Sequence, residues 1–354
     1  MNQEVYERLA QHLDRLPAGF PKTESGVELR ILKRLFTEEE AELACYLTIM
    51  PESVGVISKR ANLQAEELVD KLYQMSLKGL INRVDRPEGN LYLAAQYVIG
   101  IWEYQVNELD PELIKDMNEY IPALFDSLNR LKTQQLRTIP IGGSLEGQGA
   151  VLPYEEARKL IEEQSKILVA PCICRKERTM VGKGCGKTLE TCLVFGAGAY
   201  YYEKNGLGRS ITKEEALDIL TVAEKEALVI QPTNAQKIIN ICLCCGDCCQ
   251  VLKGFSRHPK PAEVVHSNYY AQVRTEDCIG CEICLERCQM QAIQMQDGTA
   301  EVIRDRCIGC GLCVPTCSGQ VIDLIRKEEK ECYVPPKKII ETFMRIGHER
   351  GLYK

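Results

Sequence analysis

Apolar residues recur at helical spacing through the first third of the chain. Leu68, Leu72 and Met75 lie three and four positions apart and Leu80 extends the row, the period at which one helix face meets a core. The pattern predicts helices over 38–47, 54–60 and 64–78, a turn at Ala61–Leu63 and a stop at Gly79. A hairpin turning at Glu88-Gly89-Asn90 follows. Residues 103–132 predict one or two amphipathic helices punctuated by Pro111 and Pro122. Gly142-Gly143-Ser144 through Gly149 predicts a flexible boundary.

Beyond that boundary helix and strand signals alternate. A helix is expected from Pro153 to about 164, and a short strand over 167–170. A second helix runs from Thr212 to about 228, where Thr212 and Glu215 form a capping box, and the apolar Leu228-Val229-Ile230 follows it. The central domain therefore reads as α/β or α+β. Between Ala292–Met295 and Thr299–Ile303 stands Asp297-Gly298, a strong short hairpin signal. Pro335-Pro336 breaks the tail ahead of a helix over 337–350. The expected fold is multidomain α+β: a helical domain over 1–135, a Cys-rich domain over 150–265, a small module over 270–325 and a tail over 326–354.

The segment 27–100 looks like a winged helix-turn-helix. Its last helix opens with Gln64, Glu66 and Glu67, and the segment carries nine Lys and Arg against eleven Asp and Glu. Phosphate neutralisation would be weak, so protein docking or a structural role is expected there rather than nucleic-acid binding.

Composition changes the picture at cysteine, of which the 354 residues hold 19. Cys278, Cys281, Cys284 and Cys288 form one CxxCxxCxxxC run, and Cys307, Cys310, Cys313 and Cys317 repeat it. That spacing wraps backbone around a four-iron cube, three thiolates coming from one run and the fourth from the other. A zinc site needs four ligands and has no use for the repeated third Cys. The segment from about 273 to 324 resembles the bacterial dicluster ferredoxins. The resemblance implies one [4Fe-4S] cluster on Cys278, Cys281, Cys284 and Cys317, and a second on Cys307, Cys310, Cys313 and Cys288. Where that family usually has Pro after the fourth Cys, this chain has Gln289 and Ser318. The module is acidic, with eight acidic side chains against three Arg over 275–325, as suits a docking electron carrier.

Nine more cysteines fall between 172 and 249: Cys172, Cys174, Cys185, Cys192, Cys242, Cys244, Cys245, Cys248 and Cys249. In extended backbone Cys172 with Cys174, and Cys242 with Cys244, would each face one side. If the chain then turned helically, Cys244 with Cys248 and Cys245 with Cys249 would stack, and one segment would serve two sites. These thiols suffice for one or two further four-iron clusters, with zinc, a redox dithiol or packed thiols as alternatives. Arg175, Lys176, Arg178, Lys183 and Lys187 supply positive charge that favours thiolates. Cys45 and Cys332 stand alone.

Other motifs fail. A phosphate loop ending at Gly186-Lys187-Thr188 needs glycine where Val181 stands, and neither Gly196-Ala197-Gly198 nor Gly206-Leu207-Gly208 has the third glycine of a dinucleotide site. His12, His258, His266 and His348 are scattered. No apolar run reaches 18 residues, and no basic start leads into an apolar stretch, so a cytoplasmic protein is expected, and cluster assembly favours an anaerobic or oxygen-poor setting. The expected function is electron transfer between a low-potential donor and a partner redox enzyme. A reductase acting on a small molecule, disulfide or corrinoid at the central cysteines, a redox-sensing winged-helix regulator, and a storage or scaffold role are the alternatives.

Overall fold

The computed structural model describes residues 3–145 and 151–353. The chain divides into two compact units: residues 1–130 with 197–208 and 346–354, and residues 131–196 with 209–345. The central Cys-rich segment and the repeated Cys runs thus share the second unit.

In the first unit the helix Ala65–Leu77 buries Leu68, Leu72 and Met75 along the expected stripe. It ends as the sequence predicts. Gly79 takes φ +73°, the Gly79 N–H bonds the Ser76 carbonyl, and the Leu80 N–H bonds the Met75 carbonyl at 3.0 Å, a Schellman closure. Helices Glu38–Ala44 and Val54–Ala61 precede it, the first capped by Thr37 and Glu40 in a reciprocal box. The strands Glu52–Ser53, Ile81–Val84 and Leu91–Ala94 form an antiparallel sheet with Leu91–Ala94 in the middle. Residues 103–132 become mainly one helix, Pro111–Leu128. Pro111 begins it without cost, because the first helical N–H has no intrahelical partner, and Asp110 caps the amides of Glu112 and Leu113. Pro122 lies within this helix without ending it.

The second unit is built on a five-stranded sheet in the order Arg209–Ser210, Ile167–Pro171, Glu190–Phe195, Asn240–Cys244, Val229–Pro232. Every neighbouring pair is antiparallel, which selects α+β over α/β for the central region. Helix and strand do alternate, yet no crossover returns a strand parallel to its neighbour. The helix Lys213–Lys225, capped by Thr212, buries Ala216 and Ala223 in a core shared with Ile167, Val169, Leu193 and Ile241. The expected flexible boundary is ordered at its start: Gly142–Ser144 is a short 3₁₀ turn with Ser144 buried, and the Ile141 N–H bonds the Cys310 carbonyl at 3.1 Å. Residues 146–149 of that boundary lie outside the described residues.

Past the sheet, Tyr269–Val273 pairs antiparallel with Ile322–Arg326, and Ile293–Gln296 with Thr299–Val302. Asp297 and Gly298 take φ of 50° and 80°, as a two-residue hairpin turn requires. The tail helix spans Ile339–Glu349.

Candidate metal centres

The two Cys runs fold around two cavities. Cys278, Cys281, Cys284 and Cys317 line the first, with Val273, Ala300 and Ile322 among its walls. Cys288, Cys307, Cys310 and Cys313 line the second, with Ala271, Ile293 and Ile308. Each cavity thus takes three thiols from one run and one from the other. The repeated Cys-Ile-Gly-Cys turns explain how the chain wraps so tightly. Gly280 and Gly309 both take positive φ, and a Cβ would fall 2.5 Å from the Gly298 carbonyl oxygen at the first and 2.1 Å from that of Tyr269 at the second.

Backbone amides point at several of these sulfurs. Ala292 N–H donates to Cys288 Sγ at 3.1 Å, Ala271 N–H to Cys307 Sγ at 3.4 Å, and Ala300 N–H to Cys278 Sγ at 3.4 Å. Such donors stabilise negative charge on sulfur and are a means of setting a cluster's potential. Arg287, immediately before Cys288, donates to the Leu312 carbonyl at 3.1 Å and so ties one run to the other. Burial pushes the Cys310 thiol up to about 12 and Cys313 well above the ordinary range. As thiolates these groups need a cation, which a bound metal provides. Four converging thiols round an apolar-walled cavity fit a [4Fe-4S] group, which supplies one-electron transfer when bound.

The cavities differ in exposure. Cys281 is exposed and Ile279 beside it is 69% exposed, whereas Cys313 is buried and Cys310 half-buried. Cys288, Cys307 and Cys310 pack against the same core that holds Cys244, Cys245, Cys248 and Cys249. The junction is direct. Gly246 N–H donates to Gln289 Oε1 at 2.7 Å, and a Cβ on Gly246 would sit 2.6 Å from the Gln289 carbonyl oxygen. The residue in the usual Pro position is therefore the one that grips the central loop.

The nine central cysteines separate into two groups. Cys192 faces Cys242 across neighbouring strands, and Cys242 shares its face with Cys244. From there thiol contacts run Cys244 to Cys249, Cys249 to Cys174 and Cys174 to Cys172. Contact with neighbouring thiols and burial push Cys172, Cys242 and Cys244 well above the ordinary range. Asn240 Nδ2 donates to Cys242 Sγ at 3.4 Å. The remaining three, Cys185, Cys245 and Cys248, bring their sulfurs within 4.8 Å of one another.

Two local expectations need correction. Cys172 and Cys174 do meet, but Cys172 is the N-cap of the helix Ile173–Met180 and Cys174 lies in its first turn, so no extended pair forms. After Cys244 the chain makes a tight turn, closed by Cys249 N–H on the Cys245 carbonyl at 3.0 Å, in place of a helix. The resulting pairs are Cys244 with Cys249 and Cys245 with Cys248. One segment nonetheless feeds both groups, because neighbouring Cys244 and Cys245 sit where an extended chain turns alternate side chains to opposite sides. Cys45 and Cys332 join neither group; their thiols donate to the Ala41 and Lys327 carbonyls.

Sequence reading named Arg175 only as one of several cations. It is buried, 2% exposed, and donates to the Thr191 hydroxyl at 2.7 Å, the Leu243 carbonyl at 3.1 Å, the Thr188 carbonyl and the Cys245 sulfur at 3.9 Å. Asn240 and Gly246 were not singled out, since neither residue type signals a metal site without its neighbours.

Residues 271–326 match the family model of the 4Fe-4S dicluster domain, and this C-terminal segment is a ferredoxin-type iron–sulfur module. No curated protein and no solved structure matches the chain. Among the described residues no helix is long and apolar enough to cross a membrane.

Proposed function

We propose that this chain is an electron-transfer protein in which the C-terminal module joins a redox partner at the surface to a metal centre in the central cysteine field. The contact of Gly246 with Gln289 carries this reading, because it seats the central loop on the residue that follows Cys288. The exposed Cys281 end, with acidic Glu276, Asp277 and Glu282 nearby in sequence, is the docking end. Cys278, Cys281, Cys284 and Cys317 bind one [4Fe-4S] cluster, and Cys307, Cys310, Cys313 and Cys288 a second. Cys172, Cys174, Cys192, Cys242, Cys244 and Cys249 hold at least one further iron–sulfur centre.

The segment 27–100 acts as a winged-helix-like docking module for protein. Val69, Tyr73 and Leu77 lie four apart on the helix Ala65–Leu77 and are 53%, 38% and 37% exposed, while Glu66 and Glu67 occupy its first turn. An apolar outer row beneath an acidic helix start suits a protein surface better than phosphates. Salt-sensitive binding of duplex DNA by oxidised or reduced protein would overturn this part.

The relay is tested by anaerobic reductive titration followed by electron paramagnetic resonance. The expected result is that all centres of wild-type protein fill from one low-potential donor. Failure of the central centre to reduce while the C-terminal clusters do would contradict the reading.

A further inference from the structure

Cys185, Cys245 and Cys248 differ in geometry from the eight cysteines of the repeated runs. Each four-thiol set of those runs surrounds a cavity. Here the sulfurs close on one another instead: Cys185 Sγ and Cys245 Sγ are 3.7 Å apart, and all three lie within 4.8 Å. Two thiolates bound to one tetrahedral ion at about 2.3 Å are separated by about 3.8 Å, the edge of the tetrahedron. The Cys185–Cys245 separation matches that edge, and Cys248 Sγ lies within 4.8 Å of both. Among the described residues no fourth His, Cys, Asp or Glu side chain joins it.

Charge supports the same conclusion. Arg175 is buried beside Cys245, and among the described residues its hydrogen-bond partners are two carbonyls, a hydroxyl and a sulfur, with no carboxylate. Its Nε is buried without a partner. A buried guanidinium needs nearby negative charge. Three thiolates on a divalent ion leave one negative charge, which Arg175 balances. The Lys187 backbone N–H also donates to Cys185.

We propose that Cys185, Cys245 and Cys248 bind one thiophilic divalent ion of the zinc type, separate from every iron–sulfur centre, with its fourth position open to an exogenous ligand. Three protein ligands and an open position are the arrangement of a reactive rather than a purely structural zinc. Access is from the segment Val181–Gly184, which is exposed, with Cys185 partly so. Lys183 and Lys187 flank that entry, so a small thiolate is the class of ligand that both the ion and its surroundings favour. This assignment does not rest on the electron relay.

Zinc-edge X-ray absorption of the full-length, anaerobically isolated protein tests it. The expected spectrum is one zinc per chain with three sulfurs at about 2.3 Å and one oxygen or nitrogen at about 2.0–2.2 Å, changing to four sulfurs when 2-mercaptoethanol is added. Cys185→Ser, on the exposed segment, is expected to lose the zinc and keep the iron, whereas Cys332→Ser keeps both. Absence of zinc, a four-sulfur shell before the thiol is added, a shell unmoved by the thiol, or loss of iron and sulfide from Cys185→Ser would each overturn the proposal. The wild-type spectrum decides the matter even if a variant fails to fold.

Discussion

Replacing Gly246 with Ala probes the junction on which the relay depends. The added Cβ would meet the Gln289 carbonyl oxygen at 2.6 Å, and that oxygen belongs to backbone that cannot swing aside. Relieving the overlap costs about 1–3 kcal/mol, and disturbing the 2.7 Å bond from the Gly246 N–H to Gln289 Oε1 about 1 kcal/mol more. Against this, Ala stabilises through the unfolded chain by about 0.4–1 kcal/mol, because Gly246 is not in the left-handed region. The net is about 2 kcal/mol, or roughly a thirtyfold rise in local opening. Hydrogen–deuterium exchange of anaerobic protein, read on peptides covering 241–252 and 286–293, should show that rise in both. Gly143→Ala is the control, since its Cβ would meet only the end of the Glu224 side chain, at 2.4 Å, which can rotate away. Exchange at both peptides within about threefold of wild type for Gly246→Ala, equivalent to roughly 0.6 kcal/mol, would refute the close-contact reasoning.

Ligand exchange between the runs predicts crossed losses: Cys317→Ser should remove the electron paramagnetic signal of the cluster held by Cys278, Cys281 and Cys284, and Cys288→Ser that of the other. The reverse pattern would show that each run closes on itself. Burial raises the Glu177 carboxyl from 4.5 to about 7. Between those values the folded chain keeps a proton that the unfolded chain has lost, so stability falls as pH rises through the window, by roughly 3 kcal/mol in full. Glu177→Gln should flatten the melting temperature between pH 4.5 and 7, and an unchanged slope would assign the effect elsewhere. Cys45→Ser and Cys332→Ser should leave iron content unaltered, as colorimetric assay would show.

Local signals in the sequence carried far. The Leu68, Leu72, Met75 stripe and Gly79 specify a helix and its end within a few residues of each other, and Asp297-Gly298 specifies its hairpin, because propensity, pattern and turn chemistry agree there. The ferredoxin cysteines were legible because a repeated spacing encodes a wrapped backbone. The central field was not, since Cys174 and Cys185 reach Cys249 and Cys245 only through the antiparallel sheet. Strand order is set by long-range pairing that leaves no trace in local spacing. The i, i+4 intervals after Cys244 predict helical stacking, but the turn through Gly246 and Asp247 instead separates Cys245 and Cys248 from Cys249. Gln289 looked like a departure from a familiar turn; its role became visible only with Gly246 beside it.

Iron and acid-labile sulfide, counted per chain on anaerobically isolated protein and on Cys172→Ser, Cys174→Ser, Cys242→Ser, Cys244→Ser and Cys249→Ser, show whether the central cysteines hold a further iron–sulfur centre. Two ferredoxin-type clusters account for about eight irons. A further centre gives a wild-type value clearly above eight that returns to about eight in those variants. A wild-type value of about eight, unchanged by every one of the substitutions, would contradict it.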